Sequence, residues 1–292
     1  MLKIILFCKS YITDLKRFQR FWVSLEKHNV EKIPFYACVP KSDLQEFKEK
    51  ITNSDLINWL TDEEIVDISP GGNIKKYKKL NPALTQQIIK AEVWRKLNIE
   101  NYVCFDSDSI IIRDIFVSDF LSSKGIPFTI MHQNKLFWEL SLKRSDKYLR
   151  THHQLLAKIK NHFGRVGPDF DYGPTPCIWS KAVWKDLYEK TLRPSKKNLW
   201  DAISEIPSEI LWYGEALLEH KSISLVPIDP LMKAYLYQWQ LKNTYKVSAD
   251  KLAKIYIGVV YQSNWEFELN YGEKKRITSR LLRKLKRFLA KI

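Results

Sequence analysis

The sequence predicts an α/β fold in which a mostly parallel central sheet carries helices on both faces. Three observations predict it. Short, nearly continuous apolar runs alternate with stretches of helical periodicity, which is the pattern of βαβ units. The runs are rich in β-branched and aromatic residues, as suits strands buried on both faces. One of them, Tyr102 to Phe105, ends in Asp106 and Asp108, at the carboxyl end where open α/β sheets bind ligands. The chain has 292 residues, 45% hydrophobic and 13% aromatic, so it is long for one core and short for two independent ones.

Leu2 to Cys8 reads as the first strand, with Lys9, Ser10 and Tyr11 at its carboxyl end. Asp14 is placed to cap a helix running to about His28, with Leu15, Phe18, Trp22 and Leu25 on one face. Phe35 to Val39 reads as the second strand, ended by Pro40, and Ser42 or Asp43 caps the next helix. Ile65 to Ile68 reads as a third strand before the turn Pro70-Gly71-Gly72-Asn73. Neither a Gly-x-Gly-x-x-Gly run nor a Walker loop is present, which weighs against dinucleotide oxidoreductases and P-loop enzymes. Lys75 to Leu80 reads as a basic loop, and Asn81-Pro82 as the start of a helix, Ala83 to Leu97, that leads into the Tyr102 strand. Gln86, Gln87 and Lys90 lie about one turn apart on it, so at least two share a face, and the Lys90 cation suits a phosphate.

Further on, Pro127 to His132 reads as a strand and Asp146 to Phe163 as a long helix. His152 and His153 are adjacent there, so their rings point about 100° apart and read as packing or surface residues rather than metal ligands. Gly164 to Ser180 is a constrained loop with three glycines and three prolines, ending in the short strand Cys177 to Trp179. Pro207-Ser208-Glu209 opens a helix through His220. Ser222 to Ile228 and Ile255 to Tyr261 read as the last strands.

Extended residues two apart point the same way, so Asp106 and Asp108 can converge on one ion. Hard divalent cations prefer such oxygen ligands and commonly share them with substrate phosphates. A second Asp-x-Asp, Asp169-Phe170-Asp171, lacks the preceding strand.

The strand ending in Asp106-Ser107-Asp108 resembles the Asp-x-Asp motif of GT-A-type glycosyltransferases. Tyr172-Gly173-Pro174-Thr175-Pro176, followed by an apolar strand and a helix, is similar to a segment of bacterial glycosyltransferase-like proteins of surface polysaccharide and lipopolysaccharide clusters. Ser208-Glu209 with Tyr213-Gly214 downstream belongs to the same resemblance. It implies a GT-A-like nucleotide-diphospho-sugar transferase fold over residues 1–272, with a nucleotide-binding half (1–115) and an acceptor-binding half (116–272). It implies transfer of a sugar, a UDP-hexose favoured, to a hydroxyl of a glycan or lipid-linked acceptor, with an inverting outcome slightly favoured. Asp106 and Asp108 would hold Mn²⁺ or Mg²⁺, with Ser263 or Asn264 standing where such enzymes often have a histidine. Lys9, Tyr11 and Asp14 would meet base and ribose, while Gln87, Lys90, Asp106, Ser107, Tyr172 and Thr175 would contact the rest of the donor. Glu209 is the first candidate for general base and Asp171 the second.

Net charge is +15, yet nine Lys or Arg and no acid lie from Lys274 onward, so residues 1–273 carry only +6. Residues 273–292 place leucines and Phe288 at helical spacing between those cations. Such a helix can lie on an anionic inner leaflet or pack its apolar face on the domain. A nucleic-acid binder or metal-dependent nuclease is the competing class, opposed by confinement of the basicity to one tail. Cys8, Cys38, Cys104 and Cys177 have no metal-type spacing and read as buried reduced thiols of a cytoplasmic protein. No run is long and apolar enough to span a membrane.

Overall fold

The computed structural model describes residues 2–135, 138–139, 146–235 and 247–261. Strands β1 (Leu2–Lys9), β2 (Phe35–Val39) and β3 (Asn58–Thr61) pair in parallel, and β4 (Ile99–Asp106) joins the other side of β1, also parallel. The antiparallel β7 (Cys177–Ser180) closes a five-stranded sheet of order β3-β2-β1-β4-β7. This is the mostly parallel α/β architecture the alternation predicts.

Helices cover both faces because successive strand residues point to opposite sides. Ile5 and Phe7 of β1, with Tyr102 and Cys104 of β4, face one apolar cluster. Helix α5 (Pro82–Glu92) enters that cluster through Ile88 and Ile89, and α9 (Glu209–His220) through Leu211, Trp212 and Leu217. Ile4, Leu6, Val103 and Phe105 face the opposite cluster, where α1 (Leu15–His28) contributes Phe18, Phe21, Trp22 and Leu25, and α2 (Leu44–Lys50) contributes Phe47. Each such side chain removed from water stabilises the fold by roughly 1.5–3 kcal/mol. All four cysteines are buried free thiols.

Four segments and one cap differ from the sequence reading. Residues 65–68 are not a strand but the end of helix α3 (Asp62–Ile68), which starts in a capping box: Thr61 and Glu64 each satisfy the other's backbone N–H. Lys75 to Leu80 is not a loop, since Asn73 accepts from Lys75 N at 2.7 Å and starts helix α4 (Ile74–Lys79). The predicted strands over 127–132 and 222–228 shrink to β6 (Thr129–Ile130) and β8 (Pro227–Ile228), two residues each, which pair with one another. Asp14 occupies the N-cap position of α1 without a capping bond, because its carboxylate is taken by Arg17.

A smaller sheet sits at the carboxyl end of β4. Its order is β5 (Ser109–Ile111), β10 (Gly258–Tyr261), β9 (Met232–Tyr235). Helix α6 (Asp146–His162), α7 (Lys181–Asp186), α8 (Leu199–Glu205) and α10 (Ala249–Leu252) complete the described elements. The basic segment 273–292 and Ser263 lie outside the described residues.

Candidate functional site

Parallel pairing of β1 with β4 sets Lys9 beside Asp106 in register, so both side chains stand at one carboxyl edge of the sheet. A cleft of about 320 Å³ opens there, walled by α5 and by the start of α9. Lys9, Tyr11, Asp14, Gln87, Lys90, Asp106, Ser107, Asp108, Thr175 and Glu209 all line it. These are ten of the positions that the sequence singles out, drawn from five separate segments.

Lys90 is the centre of the charge arrangement. Pro82 at the first helical position and the Asn81 cap start α5 so that Lys90, two turns on, faces the end of β4. Its ammonium is hydrogen-bonded to Asp106 Oδ1 and lies 3.7 Å from Glu209 Oε1, with both Lys90 and Glu209 side chains 8% exposed. Burial works against the Lys90 charge, but the two carboxylates outweigh it and hold the ammonium's pKa well above its usual range. Glu209 moves the other way: burial raises its carboxyl, Lys90 opposes and Asp106 adds to the rise. Asp14 is likewise raised by burial, against the pull of Arg17.

Lys9 is supported from behind by a residue the sequence reading passed over. Its Nζ lies 2.9 Å from Oδ2 of Asp62, which opens α3 and is 1% exposed. Tyr77 donates its hydroxyl to the same oxygen at 2.6 Å, and the Cys38 thiol donates to Oδ1 at 3.3 Å. The Thr61–Glu64 capping box was the sequence signal that could have placed Asp62 there. Gln86, one turn before Lys90, also lines the cleft, as do Cys104, Cys177, Trp179 and Ile210.

Thr175 holds the motif's backbone as well as lining the cleft. Asp106 N donates to Thr175 Oγ1 at 3.1 Å, and that hydroxyl donates to Cys104 O at 3.0 Å, extending the β4–β7 ladder by one side chain. On the far side Tyr261 N donates to Asp108 O at 3.1 Å. Gln87 Oε1 is buried and has no hydrogen-bond partner among the described residues.

Two expected site residues lie elsewhere. Asp171 does not line the cleft: its backbone exchanges hydrogen bonds with His132 (2.8 and 3.0 Å), and its carboxylate accepts from Gly173 N at 3.0 Å and stands 3.8 Å from His152 Nε2. Tyr172 is turned into the core over Gly214, where any side chain would collide with its ring. Its hydroxyl donates to Glu215 Oε1 at 3.0 Å, and Arg165 grips the same carboxylate with two nitrogens, at 2.5 and 2.8 Å. The loop's hydrogen bonds decide which way each side chain points, and residue type alone does not. His152 and His153 both pack on Trp138, with ring centroids 4.7 and 4.8 Å away.

The donor set suits a hard cation in kind. Lys90 engages one oxygen of Asp106 and leaves Oδ2, while Asp108 supplies a second carboxylate at the cleft. Among the described residues no three His, Cys, Asp or Glu side chains converge on one point. Water, phosphate oxygens, neutral oxygens of the lining or groups beyond Tyr261 would complete the set.

A family model described as a family of unknown function, DUF6492, matches residues 1–219. No curated protein matches the chain. Solved structures similar to it include the apo form of mouse xyloside xylosyltransferase 1, with 10% sequence identity over 90% of this chain and 98% of that one, and a TM-score of 0.46. The galactosyltransferase LgtC in complex with donor and acceptor sugar analogs is 9% identical over 90% of each chain, also with a TM-score of 0.46. Likeness at that level transfers neither substrate nor residue roles.

Proposed function

The chain belongs to the DUF6492 family, whose function is not known, and from the chemistry of its cleft we propose that it is a metal-dependent glycosyltransferase. The observation that carries this reading is the charge of the cleft. Asp14, Asp106, Asp108 and Glu209 line it against Lys9 and Lys90, and both ammoniums are already held by carboxylates. A diphosphate entering a site with this surplus of negative charge needs a counter-charge, and two carboxylates at the end of a buried strand are suited to recruit one. The same surplus disfavours a nucleic-acid backbone as the natural ligand.

In this reading a nucleotide sugar, a UDP-hexose favoured, lies with its base toward Lys9, Tyr11 and Asp14 and its sugar toward Gln87 and Lys90. Mn²⁺ or Mg²⁺ held by Asp106 and Asp108, with Ser263 as a further ligand, would neutralise charge on the departing diphosphate. Lys90 fixes Asp106 and Glu209 relative to one another. Glu209, buried and with a raised pKa, is placed to accept the proton of an acceptor hydroxyl as its oxygen bonds to the anomeric carbon and the bond to the diphosphate breaks. That is the chemistry of an inverting transferase, and it leaves no role for Asp171. Residues 1–115 then serve the nucleotide and 116–272 the acceptor, a glycan or lipid-linked molecule of bacterial surface polysaccharide synthesis. Residues 274–292 would hold the enzyme at the inner leaflet.

The test is thermal stability of the purified chain against a panel of nucleotide sugars, with Mn²⁺ or with chelator. A ligand that binds only the folded state raises its apparent stability. Stabilisation by a nucleotide sugar that needs metal and is lost in Asp108→Asn supports the reading. Stabilisation by none of the panel ends it.

A further inference from the structure

Resting on that reading, we infer that the part of the cleft between α5 and the start of α9 takes an uncharged sugar, one of whose hydroxyls donates to Gln87 Oε1, and that it rejects sugars bearing a carboxylate. Gln87 lines the cleft, and its Oε1 is buried and lacks a donor among the described residues. A buried amide oxygen in that state is under-satisfied until a donor arrives. Three residues along the same helix, Lys90 divides its ammonium between Asp106 and Glu209. This end of the cleft is thus lined by two carboxylates and an amide oxygen around one cation that is already shared.

Acceptors outnumber donors there, so the ligand that completes it must bring donors. A sugar hydroxyl donates and carries no charge. A sugar carboxylate only accepts, and it would meet Asp106 and Glu209 as a like charge, least screened beside Glu209, whose side chain is 8% exposed. The other lysine of the cleft, Lys9, is held by Asp62 and offers no replacement cation.

The experiment is calorimetric titration of the full chain, in Mn²⁺, with UDP, UDP-glucose and UDP-glucuronate, the last two differing only in the carboxylate at C6. If the stability panel selects another nucleotide, the same three forms of that nucleotide are used. UDP-glucuronate is expected to bind about tenfold more weakly than UDP-glucose, the size of one modest charge repulsion. Gln87→Leu is expected to weaken UDP-glucose about fivefold, the loss of one neutral hydrogen bond, and to leave UDP unchanged. UDP binding also reports that the variant is folded. Equal or tighter binding of UDP-glucuronate overturns the inference without any variant, and so does a Gln87→Leu effect of equal size on UDP and UDP-glucose. If no nucleoside diphosphate binds at all, the transferase reading fails instead, and the inference falls with it.

Discussion

Lys90→Met is the sharpest test of how the cleft is held together. It keeps the length of the side chain and removes the cation, so Asp106 and Glu209 face each other with no charge between them. Glu209 and Lys90 are both 8% exposed, whereas the Asp106 side chain is 26% exposed and partly relieved by solvent. Removing one partner of a buried ion pair typically costs 3–5 kcal/mol, and the wetter Asp106 places this case near the lower end, at about 3 kcal/mol at pH 8. The pH dependence follows from the direction of the Glu209 shift. Burial already raises its pKa in the folded chain, and losing Lys90 raises it further. The folded variant then binds more protons than the unfolded chain above the ordinary carboxyl range, so its stability falls as pH rises and recovers on acidification. Urea unfolding at pH 5 and pH 8 measures both quantities. The loss should be at least about 1 kcal/mol smaller at pH 5, and adding Glu209→Gln should restore part of it at pH 8. A loss under about 1 kcal/mol, or one identical at the two pH values, would refute the placement of Lys90 between the carboxylates.

Glu92, buried beside Arg95, has its carboxyl pushed up to about 7 by burial. The folded state therefore binds the extra proton between about pH 4.5 and 7, and this group's stabilising contribution is lost as pH rises through that window, by ~3 kcal/mol in all. Glu92→Gln should match the parent near pH 5 and exceed it by roughly 1–3 kcal/mol at pH 8 in urea titrations, and a pH-independent difference would contradict the assignment. Gly214→Ala drives a methyl group into the Tyr172 ring and should destabilise by about 1–3 kcal/mol, although alanine is the better helix former by ~1 kcal/mol. Tyr172→Phe should cost about 1–3 kcal/mol by leaving part of the buried Glu215 carboxylate unsatisfied, and unchanged denaturation midpoints for both variants would remove the Tyr172–Gly214 contact from the account.

The strands were legible where the physics is one-dimensional. Leu2–Lys9, Phe35–Val39 and the Tyr102 to Phe105 run of Ile99–Asp106 are buried on both faces, so their sequences are apolar almost throughout and announce themselves. Ile65-Val66-Asp67-Ile68 fits either period, and only the Thr61–Glu64 box decides it as a helix. Within the site, Lys9, Lys90, Asp106, Asp108 and Glu209 sit at element ends or on a regular helix face, where side-chain direction follows from backbone position. Asp171 and Tyr172 sit in an irregular loop. There the direction is set by contacts with His132 and Gly214, far off in sequence, and no local pattern encodes it. Asp62 escaped notice for the same reason: its function is to hold Lys9, a partner from the first strand.

The bond from Tyr261 N to Asp108 O has a consequence for the order in which the chain can mature. The Asp106–Asp108 turn is translated before the middle of the chain, yet its outer side is pinned by β10, the last described strand, which pairs with β5 immediately after the motif. At roughly 5–20 residues per second of synthesis, the motif waits about 8–30 seconds for that strand. Through that interval the β1–β4 sheet can assemble and Lys90 can engage Asp106 while the Asp108 carbonyl still lacks its partner, so this side of the cleft is among the last parts of the protein to become rigid. Shortening the chain before Gly258 would then leave the five-stranded ladder whole, take Val260 out of one of its two apolar clusters, and disable the site, so competence is lost before the main sheet is.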